Sequence, residues 1–577
     1  MKKLLVLLFG VFSINSIAVL YKDISNLERE TVDEGMAIYG LIPEHDPDGK
    51  MVSKINIYTK APFSRDAGWL VLLDRLHIIS KEEIIRRDLF IKAGDIYNQA
   101  SVRDSEFSLR AESLVRSLAV IVPVKSKNTS KYGEIELLVA TRDLLSLRPS
   151  FSFEGNSDIL TDLSIAIGEH NLLGNNKSVA AIYELKQAMH VLSARYYDPR
   201  LFGSRLEMLT KPSLIFSRKD FSFDGFVGEF NLSRPLISQT DTWAYGLSLG
   251  YGSKPIVDFN GDHIRTFDVP GTPIDEGIER RYRWRYGTAE IDVRRSFGST
   301  YKIEAFSSYG LNIKRPSIPD DLNLSEPQKE AFRKDVLPKD EIESYISLGI
   351  AHFHNTFLTL YDYNNFKLAE IKRTGPAIVV SSDFSSKKLL LSDNSFIRPE
   401  SKFSYLQPLY RDSFVLASIA TSNRYDGGFL DNTYKYGLSL VSTKIAGLAR
   451  IIFDGRLSMT LDNRDNQSFS LGSDSGVRGV KSRFYTGNRA FRSNLEVRTA
   501  PLNIWIFHAG LVLFYDVGSA AKTWDQMNAT HTLGLGLRVL SPQVSSQVFR
   551  IDLGFPIIGR GIQEHRLLPS FGIGQAF

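Results

Sequence analysis

TWAYGLSLGY, residues 242–251, sorts its side chains by parity. Trp243, Tyr245, Leu247, Leu249 and Tyr251 fall on one side, and Ala244, Gly246, Ser248 and Gly250 on the other. A period of two marks a strand, because successive side chains leave opposite faces of a sheet. One face here is oily and the other is small or polar. The pattern returns in YKYGLSLV (434–441), IIFDGRLSMTLD (451–462) and LGLGLRVL (533–540). A soluble sandwich alternates in the same way, but three properties select a lipid-facing wall. The segments approach ten residues, where ordinary strands average about five or six. Aromatics gather at segment ends, as Trp243 and Tyr251 do. The alternation also continues over residues 147–577, far beyond one sandwich. About ten tilted residues cross the apolar band of an outer-membrane barrel, with aromatic rings at both interfaces. Such a sheet must close, since an open edge in lipid leaves backbone donors unpaired. Residues 147–577 are therefore expected to form an antiparallel transmembrane β-barrel of about 16 strands, at roughly 27 residues per strand and connection.

The C-terminal PSFGIGQAF (569–577) keeps the alternation through Phe571, Ile573 and Gln575 and stops at Phe577, an aromatic ending shared by many bacterial outer-membrane barrels. The longest polar insertions, 253–277 and 314–341, are expected as loops outside the membrane, the second with a short helix near SEPQKEAFRKD. Short turns are expected on the periplasmic side.

Upstream the periodicity differs. Met1-Lys2-Lys3, the apolar run Leu4–Phe12 and the small-residue site Ser16-Ile17-Ala18 predict a secretory leader over 1–18. Residues 19–50, with PEHDPDGK, are expected as a periplasmic linker without a strong helix. Residues 51–146 predict a small α+β domain. KINIYT alternates as a strand, and Ser80 with Glu83 forms a capping box for a helix ending near Gly94. Ser101 with Asp104 starts a second helix running to Leu118, and AVIVPV and GEIELLVATRD follow as strands. The order is βααββ.

Composition excludes several functions. The chain has 577 residues, no cysteine and a formal charge of +5 spread along its length. That removes disulfides, thiol catalysis and cysteine zinc sites, and gives no footprint for nucleic acid. The ten histidines show no ligand spacing, so no metal site is expected. Neither a Gly-x-Ser-x-Gly elbow nor a phosphate loop occurs, so neither an enzyme nor a cofactor is expected.

EEIIRRDLFIKAGDIY (82–97), DSEFSLR (104–110) and VATRDLLSL (139–147) resemble a POTRA domain, a periplasmic polypeptide-binding module. EHNLLGNNKSV, YYDPRLFGSR, LGSDSGVRGV, GNRAFRSNLEVR, LFYDVGSA and FRIDLGFP follow in the order found in the BamA- and TamA-like outer-membrane protein assembly superfamily. The resemblance implies that the loop with Val477, Arg478 and Gly479 folds back into the barrel. Its arginine would meet acidic residues of the inner wall, here Glu496 and Asp516. Two departures touch this loop: Val480 stands where the family has an aromatic, and Ser473 replaces the second of two glycines after Gly472.

The resemblance further implies an insertase of the bacterial outer membrane. Unfolded clients would be received at the POTRA-like domain by β-augmentation and inserted through a lateral seam between LRPSFSFEG and LLPSFGIGQAF. Its partners would be those clients, the outer-membrane bilayer and periplasmic chaperones or accessory lipoproteins. Two alternatives stay open: a two-partner-type pore exporting one exoprotein, and a passive channel or surface antigen.

Overall fold

The computed structural model describes residues 24–575, less 64–67, 69–71, 73, 75–76, 112–114, 128–131, 156–159, 239, 261–262, 273–274, 465, 467, 543–546 and 560–566. The expected leader and the terminal Phe577 lie outside the described residues.

The N-terminal domain holds a four-stranded sheet of β1 (Leu41–Pro43), β2 (Met51–Lys60), β3 (Arg116–Ser126) and β4 (Glu134–Asp143), in the order β1-β3-β4-β2. β2 runs parallel to β4, which the intervening helices α2 (Glu82–Arg87) and α3 (Gln99–Ala111) allow by crossing over the sheet. Ile55, Ile57, Ile121 and Val139 pack beneath these helices against Ile85 and Leu109.

The segment expected as a linker instead carries α1 (Asn26–Tyr39). Ser25 and Glu28 cap it reciprocally, and Gly40 ends it at φ 65°. Val32 and Met36 cover the sheet face formed by Leu118, Val120, Val122 and Leu138. The helix escapes a composition reading because its buried apolar stripe is narrow, and Glu30, Asp33 and Ala37 between and beyond it are exposed. Two further local expectations fail. Ser80 does not cap α2; its hydroxyl and N–H both donate to Asp143. α3 ends at Ala111, and Leu118 belongs to β3. The Asn98 carboxamide oxygen accepts from Ala100 and Ser101 at the start of α3.

The remaining chain forms one closed antiparallel sheet of 22 segments. Thr356–Leu360 and Leu502–Ile504 each prolong the strand before them along the same neighbour, so the wall has 20 strands, β5 to β24. The expectation of about 16 set too wide a spacing; many connections are short, as at Gln187–Ala188 and Trp505–Ile506, and the mean is about 22 residues per strand. The first strand, β5 (Leu147–Gly155), lies beside the last, β24 (Leu568–Ile573). These two have 9 and 6 residues, whereas β12 (Arg281–Phe297) and β13 (Tyr301–Ser317) have 17 each.

Parity along the wall matches the sequence. In β11 (Trp243–Val257), Trp243, Tyr245, Leu249 and Tyr251 are exposed on the outer face. Phe571 and Ile573 share the outer face of β24, each beside an apolar residue of its neighbour. Gln575 leaves that parity, because Gly574 at φ 85° turns the chain. The three longest connections, 258–280, 318–340 and 462–488, lie at the end opposite the N-terminal domain. The first two share a small core of Phe267, Ile278, Phe332, Val336 and Leu337 around the expected loop helix, α4 (Glu326–Asp335).

Candidate functional site

Four neighbouring strands build the inner wall where the 462–488 loop lands: β20 (Arg489–Thr499), β21 (Phe507–Ala521), β22 (Thr530–Leu540) and β23 (Phe549–Ile558). Their outward parity is apolar, with Leu495, Leu513, Leu535 and Leu553 exposed. The inward parity carries Asn494, Glu496, Asp516 and Asp552, all fully buried. The ladder aligns Glu496, Phe514, Gly534 and Gly554 on one level. A Cβ at Gly534 would meet the Phe514 ring at 2.2 Å, so this glycine lets the ring lie along the wall. That ring is a floor: the Arg478 guanidinium carbon lies 3.6 Å from its centroid.

Arg478 is fully buried. Its Nε and Nη2 donate to the two oxygens of Asp516 at 2.8 Å each, and its backbone N–H reaches the same carboxylate at 3.1 Å. Nη1 lies 2.6 Å from Glu496 and 3.5 Å from Asp552. Burial alone would lower the guanidinium pKa, but Asp516 and Glu496 outweigh it and hold the group above the ordinary arginine range. Only a planar fork can donate in parallel to both oxygens of Asp516 while a further nitrogen reaches Glu496 and Asp552, so lysine is not an equivalent. The acids are shared outward in turn: Arg498 donates to Glu496 at 2.6 Å, and Arg538 and Arg550 donate to Asp552 at 2.8 and 3.1 Å. Four arginines thus bracket three carboxylates, which keeps so dense a buried network from carrying an unpaired acid.

Val477 and Gly479 flank this contact in different ways. Val477 is fully buried and packs with Leu471, Val480 and Tyr485. Gly479 adopts φ 83° and lies against the backbone of Gly554. Val480, in place of the family's aromatic, is 2% exposed, and Tyr485 supplies a ring beside it. Ser473 hydrogen-bonds Ser482 across the two legs of the loop at 3.1 Å. The loop is also held at its base, where Arg464 meets Glu341 at 2.9 Å and its N–H donates to Asp431. A neighbouring loop clasps it through Arg265, which donates to the Arg483 carbonyl and the Thr486 hydroxyl.

A model of the Omp85 superfamily domain matches residues 171–577. The chain belongs to the Omp85 superfamily. As an Omp85 protein it is an outer-membrane β-barrel. Among solved structures it is similar to BamA from Haemophilus ducreyi lacking POTRA domains 1–3, at 12% identity and a TM-score of 0.37, covering 94% of this chain and 90% of that one. It is also similar to CdiB from Acinetobacter baumannii, at 13% identity and a TM-score of 0.39, covering 95% of this chain and 79% of that one. CdiB from Escherichia coli gives 11% identity and a TM-score of 0.40, with 95% and 82% covered. No curated protein matches the sequence.

The structure of this Omp85 chain brings all the nominated loop and wall residues together: Val477, Arg478 and Gly479 with Glu496 and Asp516. Phe571 and Ile573 lie apart on the outer face of β24. The sequence reading missed Asp552, Phe514 and the glycines beneath them, although parity places Asp552 and Gly554 on one inward row of FRIDLGFP.

A second missed element lies at the other end of the barrel. The turn 361–369 between β14 (Glu341–His354, prolonged to Leu360) and β15 (Glu370–Ser385) folds inward. Phe366 and Leu368 pack with Leu540 and Val548. The Tyr363 carbonyl accepts from Arg498 at 2.9 Å, and the Asn364 carbonyl accepts from Gln575 at 3.3 Å. Tyr361 donates to Glu28 of α1 at 3.3 Å. One turn therefore touches the N-terminal domain, the arginine cluster and the chain end beyond β24.

The edges of the N-terminal sheet are β1 and β2, and side chains reach part of the backbone there. β1 pairs with Val124–Ser126 of β3, Glu106 accepts from the Ile121 N–H at 2.7 Å, and Arg110 donates to the Ala119 carbonyl at 2.7 Å. At the other edge Tyr39 and Arg86 donate to the carbonyls of Ile57 and Ile55.

Proposed function

We propose that this protein is an assembly factor that inserts client β-barrel proteins into the outer membrane, with its N-terminal domain in the periplasm. The observation that carries the reading is the contrast between the seam and the wall beside it. β24 spans only six residues and ends at Gly574, so few ladder bonds hold it to β5. Next to it, β20–β23 are bound together from inside by the Arg478 cluster. A client edge pairing with β5 or β24 would meet a strand that parts easily, beside a wall that does not deform. The shortest strands at the seam also span the least hydrocarbon, which lowers the barrier to insertion there. Strand addition is assigned to the seam, and the N-terminal domain handles clients or accessory proteins before they reach it. On this reading the protein is not an enzyme and uses no cofactor, since client folding supplies the free energy.

A two-partner-type exporter usually carries a plug helix before its barrel, and the N-terminal segment here does hold a helix, α1. It packs on the N-terminal sheet, however, rather than within the barrel. Depletion in the native host followed by an outer-membrane proteome tests the reading. Broad loss of barrel proteins is expected. Loss of a single secreted protein would establish the exporter instead, and an unchanged proteome a passive role.

A further inference from the structure

Strand β12 carries an arginine at each rim of the lipid-facing wall. Between Arg285 and Arg295 its outward parity holds only Gly287, Ala289, Ile291 and Val293. Ten residues at about 3.4 Å each, tilted by about 40°, rise about 25 Å, the height of a barrel's apolar band. Arg295 therefore stands at headgroup level on the side of the N-terminal domain.

Its surroundings are built. β11 pairs Trp243 directly with Arg295. The Arg295 guanidinium lies 4.7 Å from the Trp243 ring centroid and 5.2 Å from that of Phe297. Arg295 is exposed, and among the described residues its guanidinium has no carboxylate or hydrogen-bond acceptor. On the other flank of Trp243, Arg234 closes β10 (Phe223–Arg234) and donates to the Trp243 carbonyl. Arg234 shares Asp241 with Arg205, at 3.8 and 2.6 Å. Arg205 and Arg234 thus share one carboxylate and Arg295 meets none, while Glu229, Glu290 and Asp292 of the adjoining strands point inward.

We propose that Arg295 and Arg234, with Trp243 between them, bind the phosphate of an anionic phospholipid in the leaflet facing the N-terminal domain. Strands β10 and β12 flank β11 about 10 Å apart, a gap that two arginine stems close around one phosphodiester. The two rings hold the Arg295 fork, and the Trp243 ring suits the glycerol boundary where aromatic girdles sit. The turn after Arg234 docks the N-terminal domain, through Ser238 donating to Asp104 of α3 at 2.9 Å. A bound headgroup would therefore sit under that joint.

The test uses the full-length chain reconstituted in phosphatidylcholine with a minor fraction of phosphatidylglycerol, then released for native mass spectrometry. The wild type is expected to retain phosphatidylglycerol over phosphatidylcholine. R295Q/R234Q should reduce that preference about fivefold, R295K should keep part of it, and R285Q at the opposite rim should leave it intact. Should the double variant fail to fold, R295Q alone reads the same quantity, since that side chain makes no ion pair to lose. Unchanged retention in the arginine variants would overturn the proposal. Displacement of the lipid by inorganic phosphate at matched concentration would replace it with a free-anion site.

Discussion

Gly479 and Gly554 touch backbone to backbone: a Cβ on Gly479 would meet Gly554 at 2.9 Å, and a Cβ on Gly554 would meet Gly479 at 2.5 Å. The loop is seated on β23 by the absence of two methyl groups. Gly554→Ala is the cleaner probe, because Gly479 also needs its positive φ. Either alanine should cost about 1–3 kcal/mol and lift the loop. Limited trypsin digestion, slow at the buried Arg478 of the wild type, should then cut within 473–483.

Arg478 answers to three acids rather than one, which decides how charge variants behave. Arg478→Glu should destabilise the barrel by about 3–5 kcal/mol, since it leaves buried carboxylates without their cation. Adding Asp516→Arg should not restore it, because the new glutamate still faces Glu496 and Asp552. Arg478→Lys keeps the charge and loses the fork, and should fall between. Denaturant midpoints of the refolded protein in detergent check the order; full rescue by the double swap would show that Asp516 alone matters.

The 361–369 turn and the 462–488 loop enter the barrel from opposite ends, and the expectation is that they obstruct its axis in series. Replacing 363–367 by a glycine-serine linker should leave conductance in planar bilayers low, as should shortening 473–484. Only the two changes together should open a steady pore. A large conductance from either alone would show that the other closure leaks.

His170, in the turn after β6 (Leu160–Glu169), is buried against the Ser178 hydroxyl at 3.0 Å. Desolvation first, then Arg148 and Arg195, lower its pKa to about 3. The unfolded chain takes up a proton near pH 6.5 that the folded chain refuses, so stability falls as pH drops below that value. Between pH 7 and 5 the loss should be about 1–2 kcal/mol. Chemical denaturation at both pH values should show a smaller drop for His170→Gln than for wild type.

The barrel was legible because its signal is repeated: parity in TWAYGLSLGY is enforced by lipid on one side and water on the other. The strand number was less so, since connections vary from two residues to 27 and carry no periodicity. Arg478 with Glu496 and Asp516 could be nominated through family wording. Asp552 could not, because one inward aspartate among many looks the same until register places it opposite Gly536. α1 was hidden by its narrow apolar stripe, and the 361–369 turn by looking like any polar connection. What such segments touch is fixed by distant strands, which local pattern does not encode.

A barrel with an inward segment at each end suits a membrane whose task is exclusion. If traffic runs sideways through the wall while the axis stays shut, abundance of this protein can rise without making the envelope leaky. Cells overproducing it should remain as resistant to large hydrophilic antibiotics as their parents, a trait that an ordinary porin of this girth would forfeit.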